Sequence, residues 1–369
     1  MILENLHLLF FKNYNEAGIN FSPHINCFIG DNGSGKTNLL DAIHYLSLTK
    51  SAFAPTDQQN IKQGEDFFMV KGQFKVDGEK QLVQCSLQAG QKKVVMRNKV
   101  PYDKVSDHIG RFPVVVSTPY DTDLIREGSE ERRKFFDGFI SQLNHTYLEK
   151  LMLYNRLLKQ RNSLLKQFAE KNYFDKDYLN VLDEQLVEPA LYLADQRKSI
   201  LAVFEPIFQN YYQNLTQSRE QVKLEYKSKL IETHFPELLK QAQRKDLLLQ
   251  RTTVGPHKDD YIFLMNDFPV KQFGSQGQQK SYVIALKLAQ FELLSSHLHH
   301  KPLLLLDDIF DRLDQHRMQQ LMQMVADHRF GQIFLTDTDL SRTRHTLSGL
   351  SDQINYYRVH QGEVELIVD

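Results

Sequence analysis

The 369-residue chain is predicted to be an α/β protein, a mixed sheet carrying a phosphate loop, with an antiparallel β subdomain and an inserted helical lobe. Three observations carry this. Gly30-Asp31-Asn32-Gly33-Ser34-Gly35-Lys36-Thr37 fits the phosphate-loop pattern of a glycine, four residues and Gly-Lys-Thr. Leu303 to Leu306 read as a strand buried on both faces, followed by Asp307-Asp308 at its carboxyl end, where open α/β sheets place their ligand chemistry. Between these, from Ser129 to about Ser218, glycine is scarce and apolar residues recur at helical spacing, as in Leu148, Leu151, Met152, Leu158, Leu164, Leu165 and Phe168. The expected division is residues 1–121 as the amino-terminal part of the head, 122–218 as the helical lobe and 219–369 as the carboxyl-terminal part of the head.

The phosphate loop has the context it needs. Ile25-Asn26-Cys27-Phe28-Ile29 is a short apolar run suited to a buried strand, and Asn38 to Leu46 has helical apolar spacing. Glycines at 30, 33 and 35 let the backbone turn its N–H groups inward, and the positive end of the new helix adds to the same spot. Residues Gly30 to Asn38 are therefore the candidate nucleotide-binding set, with Lys36 reaching the β- and γ-phosphates and Thr37 placed to ligate Mg²⁺. A chance glycine-rich turn is the competing reading, and the flanking strand and helix argue against it.

Earlier in the chain, Met1 to Phe11 alternates apolar side chains as a first strand, Lys12-Asn13-Tyr14 forms a turn, and Gly18 to Phe21 can pair back. Phe68 to Val76, Gln81 to Leu87 and Lys93 to Met96, separated by Asp77-Gly78 and Ala89-Gly90, read as antiparallel hairpins. Phe112 to Val116 is a further buried strand. Strand character returns at Val222 to Tyr226 and Tyr261 to Met265, flanking a helix near Glu237 to Leu249 and the loop Thr252 to Asp260. His257, Asp259 and Asp260 in that loop resemble a metal cluster, but a turn capped by short polar side chains accounts for them. Phe273-Gly274-Ser275-Gln276-Gly277-Gln278 forms a second glycine-bearing loop before a helix from Tyr282 to Leu294, so it too offers N–H groups to an anion. Asp307 suits the Mg²⁺ shell and Asp308 an attacking water. Asp311-Arg312-Leu313-Asp314 follows as a connecting loop. Gly331 to Asp339 adds one more buried strand, and Tyr356 to Val359 with Glu363 to Val368 a closing hairpin.

Composition narrows the class. Hydrophobic residues make up 41% of the chain, ordinary for a globular protein, and 45 Lys plus Arg balance 46 Asp plus Glu, so any nucleic-acid contact must use local patches. Basic clusters occur at Arg132-Arg133-Lys134 and at Arg156, Lys159, Arg161 and Lys166; the competing reading is a solvated helix face. Cys27 and Cys85 form no metal-ligand spacing, and no disulfide is expected. The amino terminus lacks a basic leader and no run of about 18 apolar residues occurs, which predicts a cytoplasmic protein without membrane spans.

A phosphate loop near one end, an acidic strand far down the chain and a Ser-x-Gly-Gln loop shortly before that strand resemble the ABC-type ATPase head. The inserted helices point to its SMC and recombination-repair branch, and the match is closest to the RecF family. It is carried by Phe11 to Tyr14, Gly30 to Asn38, Leu46-Ser47 with Lys50-Ser51, Glu131 to Phe135, Thr253 to Asp260, Gly274 to Gln279 and Leu305 to Asp308. The resemblance implies a weak, DNA-stimulated ATPase that forms an ATP-dependent homodimer. It binds DNA at gaps and single-strand to double-strand junctions and, with RecR and RecO, promotes RecA loading in recombinational repair and replication. By position, Lys36 and Thr37 would hold phosphates and Mg²⁺, Asp307 the metal and Asp308 the water, with Lys36 and Asp308 as the catalytic pair. Ser275, Gly277 and Gln278 would meet the γ-phosphate of the other subunit. Arg132, Arg133, Lys159 and Arg161 are the DNA-contact candidates, and Thr118 to Asp121 the expected place of a glutamine-loop residue. Lys12 stands where the family usually has arginine, as does Ala54. Two rivals remain: an SMC-like chromosome tether, which would need long heptad arms or a cysteine hook, and an ABC-type ATPase using ATP only as a dimerisation switch. A transporter-type ATPase is disfavoured by Asp308 and by Thr336 to Asp339 in place of glutamate and histidine.

Overall fold

The computed structural model describes residues 1–217, 220–309, 315–326, 330–349 and 354–368. Two compact units emerge: Met1–Thr122 with Tyr211–Ser218 and Gln276–Asp369, and Asp123–Asn210 with Arg219–Ser275. The expected loop Asp311 to Asp314 lies outside the described residues.

The first unit contains two six-stranded sheets among the described residues. One is antiparallel, in the order Glu16–Asn20, Ile2–Leu9, Phe67–Val76, Glu79–Gln88, Val94–Arg97, Val100–Pro101. Along Phe67–Val76 every second residue is buried, the period of a sheet with one face on a core. Asp77 and Gly78 both have positive φ, 50° and 86°, as the two-residue turn of a tight hairpin requires.

The second sheet runs Glu363–Ile367, Ile354–His360, Ile25–Ile29, Ile333–Asp337, Leu303–Leu306, Val114–Ser117. All neighbours are parallel except the outer hairpin of Ile354–His360 with Glu363–Ile367. Every residue of Ile25–Ile29, Leu303–Leu306 and Ile333–Asp337 is buried, which explains their unbroken apolar runs. Helix Lys36–Leu48 packs against strands of both sheets and buries Leu39, Leu40, Ala42, Ile43, Tyr45 and Leu46 completely. Its polar Asp41, His44 and Ser47 are buried as well, so the helix sits inside the core rather than on its surface. Cys27 and Cys85 are buried free thiols, and burial with the charge of Asp337 pushes the Cys27 thiol well up.

The second unit packs the helices Ser129–Leu143, His145–Lys171, most of Lys176–Thr216 and Phe235–Leu249 with a three-stranded antiparallel sheet, Phe268–Pro269, Asp260–Met265, Val222–Lys227. The sequence reading drew the lobe boundary at residue 218, whereas this unit also takes in Arg219–Ser275. The reason is packing: Phe136 on Ser129–Leu143 stacks at 3.8 Å on Tyr261 of the sheet, and His145–Lys171 lies on Phe235–Leu249. Neither partner can bury its apolar face without the other segment.

The basic clusters divide sharply. Arg161 is completely buried, donating at 2.5 Å to Asp183, at 2.7 Å to Asp246 and at 2.9 Å to the Thr252 hydroxyl. Its expected role as a DNA contact is therefore corrected: its charge is held by two carboxylates in the core. Arg132 forks onto Asp260 at 2.8 and 3.1 Å and also donates to the Leu124 and Glu127 carbonyls. Arg133 donates to the Asp259 carbonyl and the Ser129 hydroxyl. Only Lys159 of the four is exposed.

Arg161→Met strands Asp246 as an uncompensated buried charge and should cost about 3–5 kcal/mol of stability. Arg161→Lys, which keeps a positive charge between the two carboxylates, should recover part of that loss in urea unfolding; equal instability of the Met and Lys variants would deny the charge this role. Histidine burial adds a pH dependence. His108 is fully buried, its Nε2 donates to the Leu46 carbonyl at 2.7 Å, and burial holds its pKa down at about 4. The unfolded ring binds a proton between pH 6.5 and 4 where the folded ring does not, so stability is present above pH 6.5 and is lost as pH falls towards 4. The slope is at most about 1.4 kcal/mol per pH unit for this group. His108→Gln, which keeps a donor for Leu46, should flatten the urea midpoint against pH across that window relative to wild type.

Candidate nucleotide site

The carboxyl ends of three adjacent parallel strands meet the start of one helix. Gly30 follows the strand Ile25–Ile29, and its amide donates to the Asp337 carbonyl at 3.3 Å. A Cβ at Gly30 would lie 2.2 Å from the Val359 carbonyl oxygen, so the neighbouring strand excludes any larger residue. Gly35 has φ +118°, and its Cβ would lie 2.5 Å from Asn13 Nδ2 and 2.8 Å from the Tyr14 hydroxyl. Helix Lys36–Leu48 begins at once, and the first amides of an α-helix have no acceptor within it.

Asn13 and Tyr14, read from sequence as part of a turn, brace this loop. Asn13 Nδ2 donates to the Ser34 carbonyl at 3.1 Å, Asn38 donates to Asn13 Oδ1 at 2.7 Å, and the Tyr14 hydroxyl donates to the Gly35 carbonyl at 2.9 Å. No spacing rule finds them, because the contact is made across the fold. Lys12 pairs at 2.5 Å with the fully buried Asp41, which also accepts from the Ser51 hydroxyl and the Ala52 amide. The lysine thus anchors the loop leading to Ala54.

Lys36 is buried, and its ammonium donates to the Gly30 and Asp31 carbonyls at 2.7 and 2.9 Å. Thr37 Oγ1 lies 3.0 and 3.1 Å from the two carboxylate oxygens of Asp307. The strand Ile333–Asp337 stands between theirs in the sheet, and its Thr336 occupies the gap. Thr336, with no exposure, donates to Asp307 Oδ1 at 2.9 Å and accepts from the Asp308 amide at 2.9 Å. Asp308 has φ 47°, a left-handed conformation that Asp tolerates and that turns the chain away from the strand end. The sequence reading named Thr336 only as replacing a histidine; its bridging position needed the sheet order.

The residues fit a nucleotide phosphate and Mg²⁺. The Ser34 hydroxyl is buried without a partner among the described residues, a donor suited to a phosphate oxygen. Thr37 and Asp307 supply a hydroxyl and a carboxylate, the hard oxygens Mg²⁺ takes while phosphate and water complete its shell. Among the described residues no group of three His, Cys, Asp or Glu side chains is placed to hold a metal by itself. His257 is engaged by the Tyr154 hydroxyl and, locally, the Thr252 carbonyl, and Asp259 by Arg197, so the loop is held by side chains distant in sequence as well as by its own backbone.

The other named residues are placed as follows. Asp31 and Asn32 are exposed. The helix expected from Tyr282 starts at Gln276, so Gly277 and Gln278 lie in its first turn and Ser275 just ahead of it. Asp121 binds the Thr118 amide and hydroxyl and pairs with Lys287 at 3.2 Å, so this segment forms a capped turn. Asp337 and Asp339 are structural: Asp337 accepts from Arg342 and Thr343, and Asp339 caps the helix Leu340–Leu347. No helix among the described residues is long and apolar enough to cross a membrane.

Comparison with known proteins agrees with this fold. The AAA domain family matches residues 5–282. The DNA replication and repair protein RecF of Flavobacterium johnsoniae is 49% identical over 343 residues, covering 93% of this chain and 96% of that protein. A solved structure of the recombination mediator protein RecF with ATP, from the RecFOR pathway, superposes with a TM-score of 0.90 at 27% identity, covering 100% of this chain and 98% of the other. An Smc head domain from Pyrococcus furiosus shares the fold alone, with a TM-score of 0.58 at 16% identity over 99% of this chain and 96% of that one. With the ABC-type head, its phosphate loop and a relative matched over nearly its whole length, the chain belongs to the RecF family of DNA replication and repair proteins.

Proposed function

We propose that the chain binds Mg²⁺-ATP at the Gly30 to Asn38 loop, dimerises around two nucleotides, attaches to DNA at gaps and junctions, and is released by slow hydrolysis. With RecR and RecO it would promote RecA loading in the cytoplasm. The observation that carries this reading is the Thr37–Asp307–Thr336–Asp308 cluster, because it joins a phosphate-loop hydroxyl to the carboxylates of the acidic strand. Lys36 neutralises phosphate charge, and Thr37 with Asp307 would hold the Mg²⁺, which would supply positive charge to polarise the phosphates. Asp308 is then the carboxylate left to orient or deprotonate water. Ser275, Gly277 and Gln278, at a helix start, would complete the partner subunit's site, since such an amide cluster favours an anion. Among the described residues the longest helix, Lys176–Thr216, has 41 residues, which favours this over a chromosome tether with long heptad arms.

The deciding experiment is sedimentation with ATP, ADP or no nucleotide, with and without gapped DNA, run beside single-turnover hydrolysis. Asp308→Asn should bind ATP, dimerise and persist on DNA, while hydrolysing about 10²–10⁴-fold more slowly. Weakened Mg²⁺-ATP binding in that variant would instead assign Asp308 to the metal, and wild-type turnover would remove it from both roles. Thr336→Val deletes the hydroxyl that orients Asp307 and should reduce Mg²⁺-dependent ATP affinity about 10–100-fold, leaving affinity in chelator unchanged. Thr336→Ser should restore it; if serine behaves like valine, the hydroxyl is not what positions the carboxylate.

A further inference from the structure

The second unit devotes much of its buried polar chemistry to holding the segment Thr252 to Asp260. Arg197, 2% exposed, donates to the Pro256 carbonyl at 2.8 Å and to Asp259 at 3.1 Å, and the Tyr226 hydroxyl donates to Asp259 as well. Arg132 forks onto Asp260. Asp246 accepts from both the amide and the hydroxyl of Thr253. Gly255 takes φ +124°, and a Cβ there would lie 2.5 Å from the Tyr154 hydroxyl. The result is a rigid loop whose two carboxylates are neutralised from within, leaving Lys258 exposed.

Lys258 stands at a cleft of about 420 Å³ whose apolar walls include Tyr226, Ile231 and Val254 and which Lys227 and Lys229 also line. Among the described residues none of these three lysines forms an ion pair, and Glu232 is the cleft's one unpaired carboxylate. Desolvation holds the Lys258 ammonium below its ordinary pKa, with the like charges of Arg251 and Arg133 adding to it.

We propose that this cleft binds the phosphodiester backbone of nucleic acid, its lysines taking phosphates and its apolar wall the sugar faces. The proposal deepens the DNA-binding reading above and rests on it. Three features favour a nucleic-acid backbone over an acidic peptide or a base-reading site. A backbone alternates anionic phosphate with apolar sugar, matching ammonium groups beside an apolar wall. All three cations are lysines, point charges suited to phosphate, where carboxylate recognition favours the arginine fork. The one ring, Tyr226, packs against Tyr261 at 5.2 Å with its hydroxyl held by Asp259, so it is no free platform for stacking bases. Binding is therefore independent of sequence.

The test uses the full chain and a fluorescein-labelled gapped duplex, titrated over a range of NaCl. Replacing Lys227, Lys229 and Lys258 together by Gln should lower the slope of log K against log salt by about 2–3, since each phosphate contact contributes about 0.9. ATP affinity and ATP-dependent sedimentation should be unchanged, which separates this loss from failure of the nucleotide reading. Glu232→Gln should tighten binding and so read the same surface in the opposite direction. An unchanged slope in the triple variant, with wild type binding DNA, overturns the proposal while leaving DNA binding intact. No DNA binding by wild type overturns both. Labelled polyglutamate bound more tightly than an oligonucleotide of equal charge, and lost in the triple variant, would assign the cleft to an acidic protein partner and overturn the proposal.

Discussion

A hydroxyl at the start of a helix, Thr37, touches a carboxylate 270 positions later in the chain, Asp307, and much of the first unit is arranged so that it can. The contact needs the phosphate-loop strand and the acidic strand to be parallel, to stand one strand apart and to end close together. The register supplies this: Leu306 is level with Leu335, and Leu335 with Cys27, so the acidic strand stops two residues short of Ile29 and leaves room for Asp307 beneath the phosphate loop. The strand between them places Thr336 at the same level, where one small hydroxyl can satisfy the Asp308 amide and Asp307 Oδ1 together.

The burial of helix Lys36–Leu48 follows from the same constraint. Its first turn must present amides to the loop, so its body is directed into the interior, where both sheets cover it. This explains why not only its leucines but also Asp41, His44 and Ser47 are buried. Asp41 is tolerated there because Lys12, Ser51 and the Ala52 amide all engage it.

In the second unit charge is turned inward. Arg161, Arg197, Asp246 and Asp259 are all nearly or fully buried, and each is paired. Such pairs add little net stability over apolar packing, but they admit one geometry only, and that geometry fixes the Thr252 to Asp260 loop. The family resemblance had marked that loop as a motif; the structure supplies a physical reason for its composition, with His257, Asp259 and Asp260 as internal fasteners and Lys258 as the exposed member.

The sequence by itself determined the elements whose chemistry is local. Glycine spacing at 30, 33 and 35 specified an anion-binding turn, Asp77-Gly78 a tight hairpin, and the unbroken leucines before Asp307 a strand without a solvent face, because each depends on backbone freedom or side-chain period within a few residues. Tertiary structure alone decided what depends on neighbours distant in the chain. Arg161 and Lys159 look alike in a basic helical run, yet one faces Asp183 and Asp246 across the core and the other faces solvent. The lobe boundary moved past residue 218 because Phe136 finds Tyr261. Asn13 and Thr336 gained their roles because strand order, which no local pattern encodes, set them against the phosphate loop and the paired aspartates.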